Sequence, residues 1–311
     1  NFNYFMRIVF FATSDESLNI LQELSVKHDI VAVISKKPNS GTKRRNFSNS
    51  KILEFASDKY LTFEPDILDK KFEQKIENLK PDLSVVVAYG KILKKSLIET
   101  PKFGTINIHP SLLPKYRGPS PVQNTIINQD LETGFTIIQM DEGIDTGDIL
   151  YKSKKFKLSL KEKYSEVLSF LFSESSIIIN KLLNDIEKNK IKPEVQNIDE
   201  ASYTTLIKKQ SASINWSEPS EVIFAKFRAF YNWPNLYSYH LGKRFIVNDL
   251  DLSDYKSEVA GKIEKINGSL YIHTSSNMLC IKIIQFEGKK PVQALAYFNN
   301  FDLSKTILET K

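Results

Sequence analysis

One cysteine, Cys280, stands in 311 residues. No internal disulfide can form, and a lone thiol without ligand-spaced neighbours makes no zinc site, so no metal is expected. Its expected role is that of a small buried hydrophobe. Histidine is nearly as scarce: His28, His109, His240 and His273 are the four candidates for imidazole chemistry. Long apolar runs are missing too. The early stretch 8–12 is far too short to cross a bilayer or to serve as the h-region of a signal, so a soluble, cytoplasmic chain without a membrane partner is expected. No GxGxxG follows the first strand-like run, where FFATSDE stands instead. This argues against a dinucleotide cofactor and against phosphate cradling by glycines. Internal repeats and low-complexity tracts are absent.

About two-fifths of the residues are hydrophobic, which is enough at this length for one large or two modest domains. The net charge of +6 permits a polyanionic partner and equally permits plain solvated lysine faces.

Residues 6–13 (MRIVFFAT) read as a buried strand, with Ser14 and Asp15 placed to cap a helix over 16–26. Further strands are expected at 30–34, 61–63, 83–88 and 105–108, with a helix over 70–79. Such alternation predicts a doubly wound, mostly parallel α/β sheet, which binds ligands beyond the carboxyl ends of its strands. A long helix is expected over 160–188. Residues 190–211 are polar and charged and read as a linker. Beyond it come a helix at 221–229 and short strands at 237–239, 244–247, 261–266, 269–274 and 278–284, a pattern that predicts a small barrel. The expected domains are 1–189, catalytic, and 212–311, the barrel.

The most informative stretch is GTINIHPSLLPKYRGPSPVQ, residues 104–123. Residues two apart on a strand point the same way, so Asn107 and His109 project together at the strand end, where Pro110 terminates the ladder. The second stretch is GFTIIQMDEGIDTGDI, residues 134–149, in which Asp145 is the candidate carboxylate. Taken singly, each residue has an ordinary alternative. Asp145 in Asp-Thr-Gly suits a turn cap, His109 a core or turn histidine, and Asn107 a bond to strand-end backbone.

Together the two stretches resemble the signature of the folate-dependent formyltransferases, in which an Asn, the His of Asn-x-His-Pro-Ser and an Asp surround the formyl group. The likeness extends to MRIVFFATSDESLNIL, PDLSVVVAYGKIL, INWSEP, RAFYNWPN and FEGKKPVQA. It implies a Rossmann-like sheet with a carboxyl-terminal OB-like barrel, 10-formyltetrahydrofolate as formyl donor, and Asn107, His109 and Asp145 as the catalytic trio. It also implies folate contacts from Ser111, Leu112, Leu113 and Pro114, from Tyr89, Gly90, Ile92 and Leu93, and from the backbone around Asp141 and Gly143. Read as residues alone, Ile92 and Leu93 are equally well core positions at the start of a helix. Attack of a neutral amine on a formamide builds negative charge on oxygen and positive charge on nitrogen. Asn107 and protonated His109 would meet the first, and Asp145, favouring imidazolium and orienting a water, the second. Cys280, in the expected second domain, is not the nucleophile.

The same signature fits formyl transfer to glycinamide ribonucleotide, to a sugar nucleotide or to another small amine, and the hydrolase domain of formyltetrahydrofolate dehydrogenase. Two features turn the expectation toward methionyl initiator tRNA. Residues 35–50 (SKKPNSGTKRRNFSNS) carry Lys36, Lys37, Lys43, Arg44 and Arg45, suited to phosphates, and Phe47, suited to stacking. The loop resembles in position an acceptor-stem insertion of the family, though its sequence departs from the usual proline- and glycine-rich pattern. A solvated basic loop is the alternative. The expected barrel adds Lys243, Arg244, Lys289 and Lys290, and Trp216 and Trp233 are expected to pack. Elsewhere Ala12 and Ser14 replace the family's usual glycine and proline, and Pro119 and Ser120 its common Ala-Ala. A monomer is expected. A non-catalytic RNA-binding module is the reading from another class; it would bind tRNA without turnover.

Overall fold

The computed structural model describes residues 5–36 and 50–309. Contacts among them divide the chain into two units, one of residues up to 121 with 132–157 and 165–205, the other of 122–131, 158–164 and 206 onward.

The first unit is built on β1 (Arg7–Ala12), β2 (Asp29–Ile34), β3 (Thr62–Phe63), β4 (Leu83–Val87) and β5 (Thr105–His109). All pair in parallel, and the interior residues of β1, β2 and β4 are buried as continuous apolar runs, as in a sheet covered on both faces. Between them lie α1 (Leu18–Lys27), α2 (Lys51–Ala56), α3 (Lys70–Asn78) and α4 (Lys95–Ile98). After α5 (Pro121–Ile127), most of which groups with the second unit, come β6 (Glu132–Thr133), β7 (Thr136–Gln139), β8 (Ile149–Lys152) and β9 (Phe156–Lys157). The sheet order is β3-β2-β1-β4-β5-β7-β8, and β6 pairs β9 separately. Since β7 and β8 run antiparallel, the sheet is mixed, with a parallel body and an antiparallel far edge. The long helix α6 (Tyr164–Glu187) follows.

Strand order reverses between β1 and β4, the position where such sheets bind ligands. There Thr13 Oγ1 donates to the Tyr89 carbonyl at 2.6 Å, tying the loop after β1 to the loop after β4. Residues 14 and 15 do not cap the following helix as expected. Ser14 turns its hydroxyl to the Glu16 carboxylate, a short 3-10 turn over Asp15–Ser17 precedes α1, and Asp15 Oδ1 accepts from the Lys51 amide at 2.8 Å. Asp15 therefore satisfies a first-turn donor of α2, a helix far away in sequence. In α3, Asp69 accepts from the Phe72 amide at 2.9 Å, while Phe72 and Ile76 enter a core with Val9, Phe11 and Leu97.

The expected linker divides. Residues up to 205 belong by contact to the first unit and those from 206 to the second. Glu194 exchanges both backbone hydrogen bonds with Ile149, at 2.8 and 2.9 Å, which extends the sheet beyond β8.

The second unit contains α7 (Ser220–Ala229), the antiparallel strands β10 (Tyr237–His240), β11 (Lys243–Lys256), β12 (Ile263–Ile266), β13 (Ser269–Ile272), β14 (Asn277–Phe286) and β15 (Val292–Gln293), and α8 (Ala294–Phe298). The path is β10-β11-β14-β13-β12, with β15 beside β14. Strand β11 is broken by three register shifts, the kind of irregularity that bends and coils a strand. Isolated bridges join Ile307 to Lys262 beside β12 and Glu309 to Tyr239 of β10. Trp216 is buried, its Nε1 donating to Ser238 Oγ at 3.0 Å, whereas Trp233 is 54% exposed and does not pack as expected. Trp233 lies in the turn after α7, outside the helix's buried face. Cys280 is half-buried, because it shares a face of β14 with exposed Lys282 while Leu279 and Ile281 take the core side. Burial nonetheless pushes its thiol up from the ordinary value.

Candidate active site

Strand β5 ends in Asn-Ile-His, and its period of two sends both polar side chains toward the loop after β7. Asn107 Nδ2 donates to Asp145 Oδ1 at 3.1 Å, and His109 Nδ1 lies 3.5 Å from Asp145 Oδ2. His109 is 4% exposed and Asp145 15%, so the imidazole is buried and the carboxylate only slightly open to solvent. The other ring nitrogen, Nε2, is 2.9 Å from the Tyr116 carbonyl. A carbonyl only accepts, so Nε2 carries a proton, and Nδ1 donates toward the carboxylate only in the imidazolium form. The Gly118 amide completes the cluster, donating to Asp145 Oδ2 at 2.7 Å.

Asp145 therefore does not cap its own turn. Asp141 does so, its carboxylate accepting from the Gly143 amide at 3.1 Å and from Thr146 Oγ1 at 2.7 and 2.9 Å. The backbone of Asp145 is left-handed, with φ +54. Only its side chain leaves the loop to meet Asn107, His109 and Gly118.

The residues expected around the folate fall into two groups. Gly90, at φ +72, has nothing within 4 Å of where a Cβ would stand, and Ile92 is 82% exposed, so main chain and side chain there are accessible. Tyr89, Leu93 and Leu113 are buried. Tyr89 packs edge-on against Phe11, and Leu113 against Ile138 and Ile149, so any ligand they serve would be met through their main chain. Burial pushes the Tyr89 phenol up to about 12. The loop of Ser111, Leu112 and Pro114 is pinned from both sides: Ser111 Oγ donates to the Lys115 carbonyl at 2.6 Å, and Thr136 Oγ1 donates to the Ser111 carbonyl at 2.7 Å. Leu112 and Pro114 also line a groove of about 640 Å³ with Lys152, Lys154 and Ser202.

Of the basic residues, Lys36 is exposed just beyond β2, while Lys37, Lys43, Arg44, Arg45 and Phe47 lie outside the described residues. Lys243 and Arg244 open β11, and Lys289 and Lys290 follow β14. Phe245 pairs with Phe286, so all four basic residues gather at one end of the sheet. Lys243, Lys289 and Lys290 are exposed, whereas the Arg244 guanidinium stacks 4.0 Å over the Tyr237 ring.

Four groups at the site were not singled out from sequence: the Tyr116 carbonyl, the Gly118 amide, Arg117 and Gln196. The Arg-Gly pair beside the proline-rich loop was a visible signal for two of them. Gln196, in the stretch read as a linker, had none.

The formyl transferase family model matches residues 6–195, and that of the formyl transferase C-terminal domain matches 206–302. The chain is 33% identical over 310 residues to the methionyl-tRNA formyltransferase of Alkaliphilus metalliredigens, covering 97% of this chain and 98% of that one. It is 36% identical over 291 residues to the methionyl-tRNA formyltransferase of Wolbachia pipientis subsp. Culex pipiens, covering 92% and 93%. Among solved structures, HypX from Aquifex aeolicus in complex with tetrahydrofolic acid shares the fold at a TM-score of 0.68 and 16% identity. That match covers 98% of this chain and 48% of HypX, so this chain spans about half of HypX. With both domain models matched and near-full-length identity above 30%, the chain belongs to the methionyl-tRNA formyltransferase family.

Proposed function

We propose that this chain transfers the formyl group of 10-formyltetrahydrofolate to the α-amino group of methionyl initiator tRNA, giving formylmethionyl-tRNA. The observation that carries the reading is identity to methionyl-tRNA formyltransferases across both units, catalytic and carboxyl-terminal alike.

The folate supplies an electrophilic formamide carbon. Negative charge grows on the formyl oxygen as the amine attacks, and Asn107 and His109 are the donors assigned to it. One N–H of the Asn107 amide is taken by Asp145, and the second is the one directed to the formyl oxygen. His109 keeps Nε2 on the Tyr116 carbonyl. Its Nδ1 is 3.5 Å from Asp145, too long for a charge-assisted bond, and is the N–H that turns to the developing oxyanion. Asp145 balances the imidazolium and orients the water that carries the amine proton toward the departing folate nitrogen. Ser111, Leu112 and Pro114, exposed Ile92, and the main chain of Tyr89, Gly90, Asp141 and Gly143 bound the pterin, with Leu93 and Leu113 as packing beneath. Accessible backbone at Gly90 suits a flat ring with donors and acceptors at its edge.

In this reading residues 1–189 form the catalytic domain, 190–211 the connection and 212–311 a tRNA-binding, OB-like barrel. Support for the barrel comes from residues 307–309, whose bridges reach both ends of the sheet path. Lys36, Lys43, Arg44 and Arg45 contact the acceptor stem, and Lys243, Arg244, Lys289 and Lys290 the phosphate backbone. The protein works as a cytoplasmic monomer. Formyl incorporation into purified methionyl initiator tRNA, against elongator methionyl-tRNA, tests the proposal. Selective transfer to the initiator is expected, and transfer to a small amine instead of either tRNA would overturn the acceptor assignment.

A further inference from the structure

We infer that Gln196, braced by Arg117, is a positioning residue for formyl transfer that holds Asp145 in its working conformation; the inference rests on the proposed role of Asp145. Three observations meet here. Asp145 has a left-handed backbone that L residues adopt rarely, so something must hold it. Gln196 Nε2 donates to the carbonyls of Asp145 and Gly147, both at 2.8 Å, and so grips the loop on either side of Thr146. Gln196 Oε1 accepts from Arg117 Nε at 3.1 Å and from Nη2 at 2.9 Å.

All three guanidinium nitrogens of Arg117 are hydrogen-bonded. Its Nη1 donates to the Tyr203 hydroxyl at 3.0 Å, its amide to the Ser202 carbonyl at 2.8 Å, and its carbonyl accepts from the Thr204 amide at 2.7 Å. Both side-chain acceptors are uncharged, and Arg117 and Gln196 are 3% and 7% exposed. A planar fork bonded this way does not swing. The next residue, Gly118, grips the Asp145 carboxylate. One short segment thus controls Asp145 twice, through its carboxylate directly and through its backbone by way of Gln196.

The chemistry at position 196 is demanding, since the side chain must donate twice and accept twice at full glutamine length. An ionised glutamate accepts only. Gln196→Glu therefore separates the two halves of the clamp: the Arg117 contact survives as an ion pair, while both donations to the Asp145 loop are lost. A residue that merely staples 190–205 to the sheet would tolerate this exchange.

The test measures turnover and, independently of turnover, amide hydrogen exchange in the full-length protein. For Gln196→Glu, kcat is expected to fall about 10- to 100-fold, the cost of a small misplacement of a reacting group, with KM for both substrates within about twofold. The Gly118 amide is expected to exchange faster while the amides of β4 keep their protection. Should the buried carboxylate prevent folding, Arg117→Met/Gln196→Met removes both partners, leaves no orphaned charge and is expected to give the same pattern. Wild-type kcat and Gly118 exchange in either variant would overturn the inference. So would protection lost equally at Gly118 and β4, which marks general loosening. If the wild-type protein formylates no tRNA, the functional reading fails, and Gly118 exchange alone still decides the clamp.

Discussion

The amide of Gly118 donates to Asp145 Oδ2 at 2.7 Å, joining positions 27 residues apart in the chain. The two loops it links descend from different strands, β5 and β7, so the catalytic carboxylate proposed here is aimed by backbone from outside its own loop. Gly118 has φ +104, and a Cβ there would stand 2.8 Å from the Thr204 carbonyl oxygen and 2.9 Å from its hydroxyl. Gly118→Ala is expected to cost about 1–3 kcal/mol of stability through backbone strain. By moving the amide it should also lower kcat about tenfold or more. Thermal unfolding and steady-state kinetics on one preparation check both effects, and wild-type kcat would dissociate the amide from catalysis.

His109→Ala is expected to lower kcat about 100- to 1000-fold, the usual effect of losing one oxyanion donor. Affinity for tRNA should stay within about twofold, because the imidazole is buried and acts on the transition state. Filter binding beside single-turnover transfer separates the two quantities.

Replacing Lys243, Lys289 and Lys290 together by Ala is expected to weaken tRNA binding and to make its salt dependence shallower. Each lost phosphate contact removes about 0.7–0.9 from the slope of log K against log salt, so the loss of three should change it by about 2 to 3. Arg244 is left in place because its guanidinium stacks on Tyr237 and its loss would disturb packing. A slope equal to that of wild type would take the tRNA off this end of the sheet.

Tyr89 makes a prediction about alkaline pH. Its hydroxyl is buried with no hydrogen-bond partner among the described residues, and burial raises the phenol from 10.0 to about 12. The folded-state value is raised, so the stability tied to the neutral phenol is present in full below pH 10. It is lost as pH climbs through about 12, because the unfolded chain ionises first. In denaturant titrations, Tyr89→Phe should flatten the fall in stability between pH 10 and 12. Near neutrality it should be harmless or stabilising by about 1 kcal/mol, since an orphaned hydroxyl is removed. A steeper alkaline fall in the variant would contradict the assignment.

The parallel body of the first sheet was legible because its signal is local. Runs such as Ile8–Val9–Phe10–Phe11 and Leu83–Ser84–Val85–Val86–Val87 declare buried strands by composition, and the observed strands agree to within a residue or two. Asn107 and His109 were legible for a related reason, since a period of two is a property of the strand itself. Local signals failed where a choice between neighbours depended on distant partners. Asp141 and Asp145 both suit a turn, and Asp141 takes the cap because only Asp145 can reach Asn107 and Gly118. Ile92 and Leu93 are equally apolar, yet one faces out and the other in. Ser14 and Asp15 looked like caps for the next helix, and Asp15 instead accepts from the Lys51 amide in the first turn of α2.

By itself the sequence determined the α/β alternation, the polar strand end that carries Asn107 and His109, and, through motifs spread over both units, the family. Only the tertiary structure decided that the stretch after α6 returns to the sheet, so that Gln196, Ser202 and Thr204 brace Arg117 and Asp145. The physical reason is that secondary structure follows from neighbours a few residues apart, whereas hydrogen bonds between residues 49 to 87 positions apart form only when packing has brought their segments together.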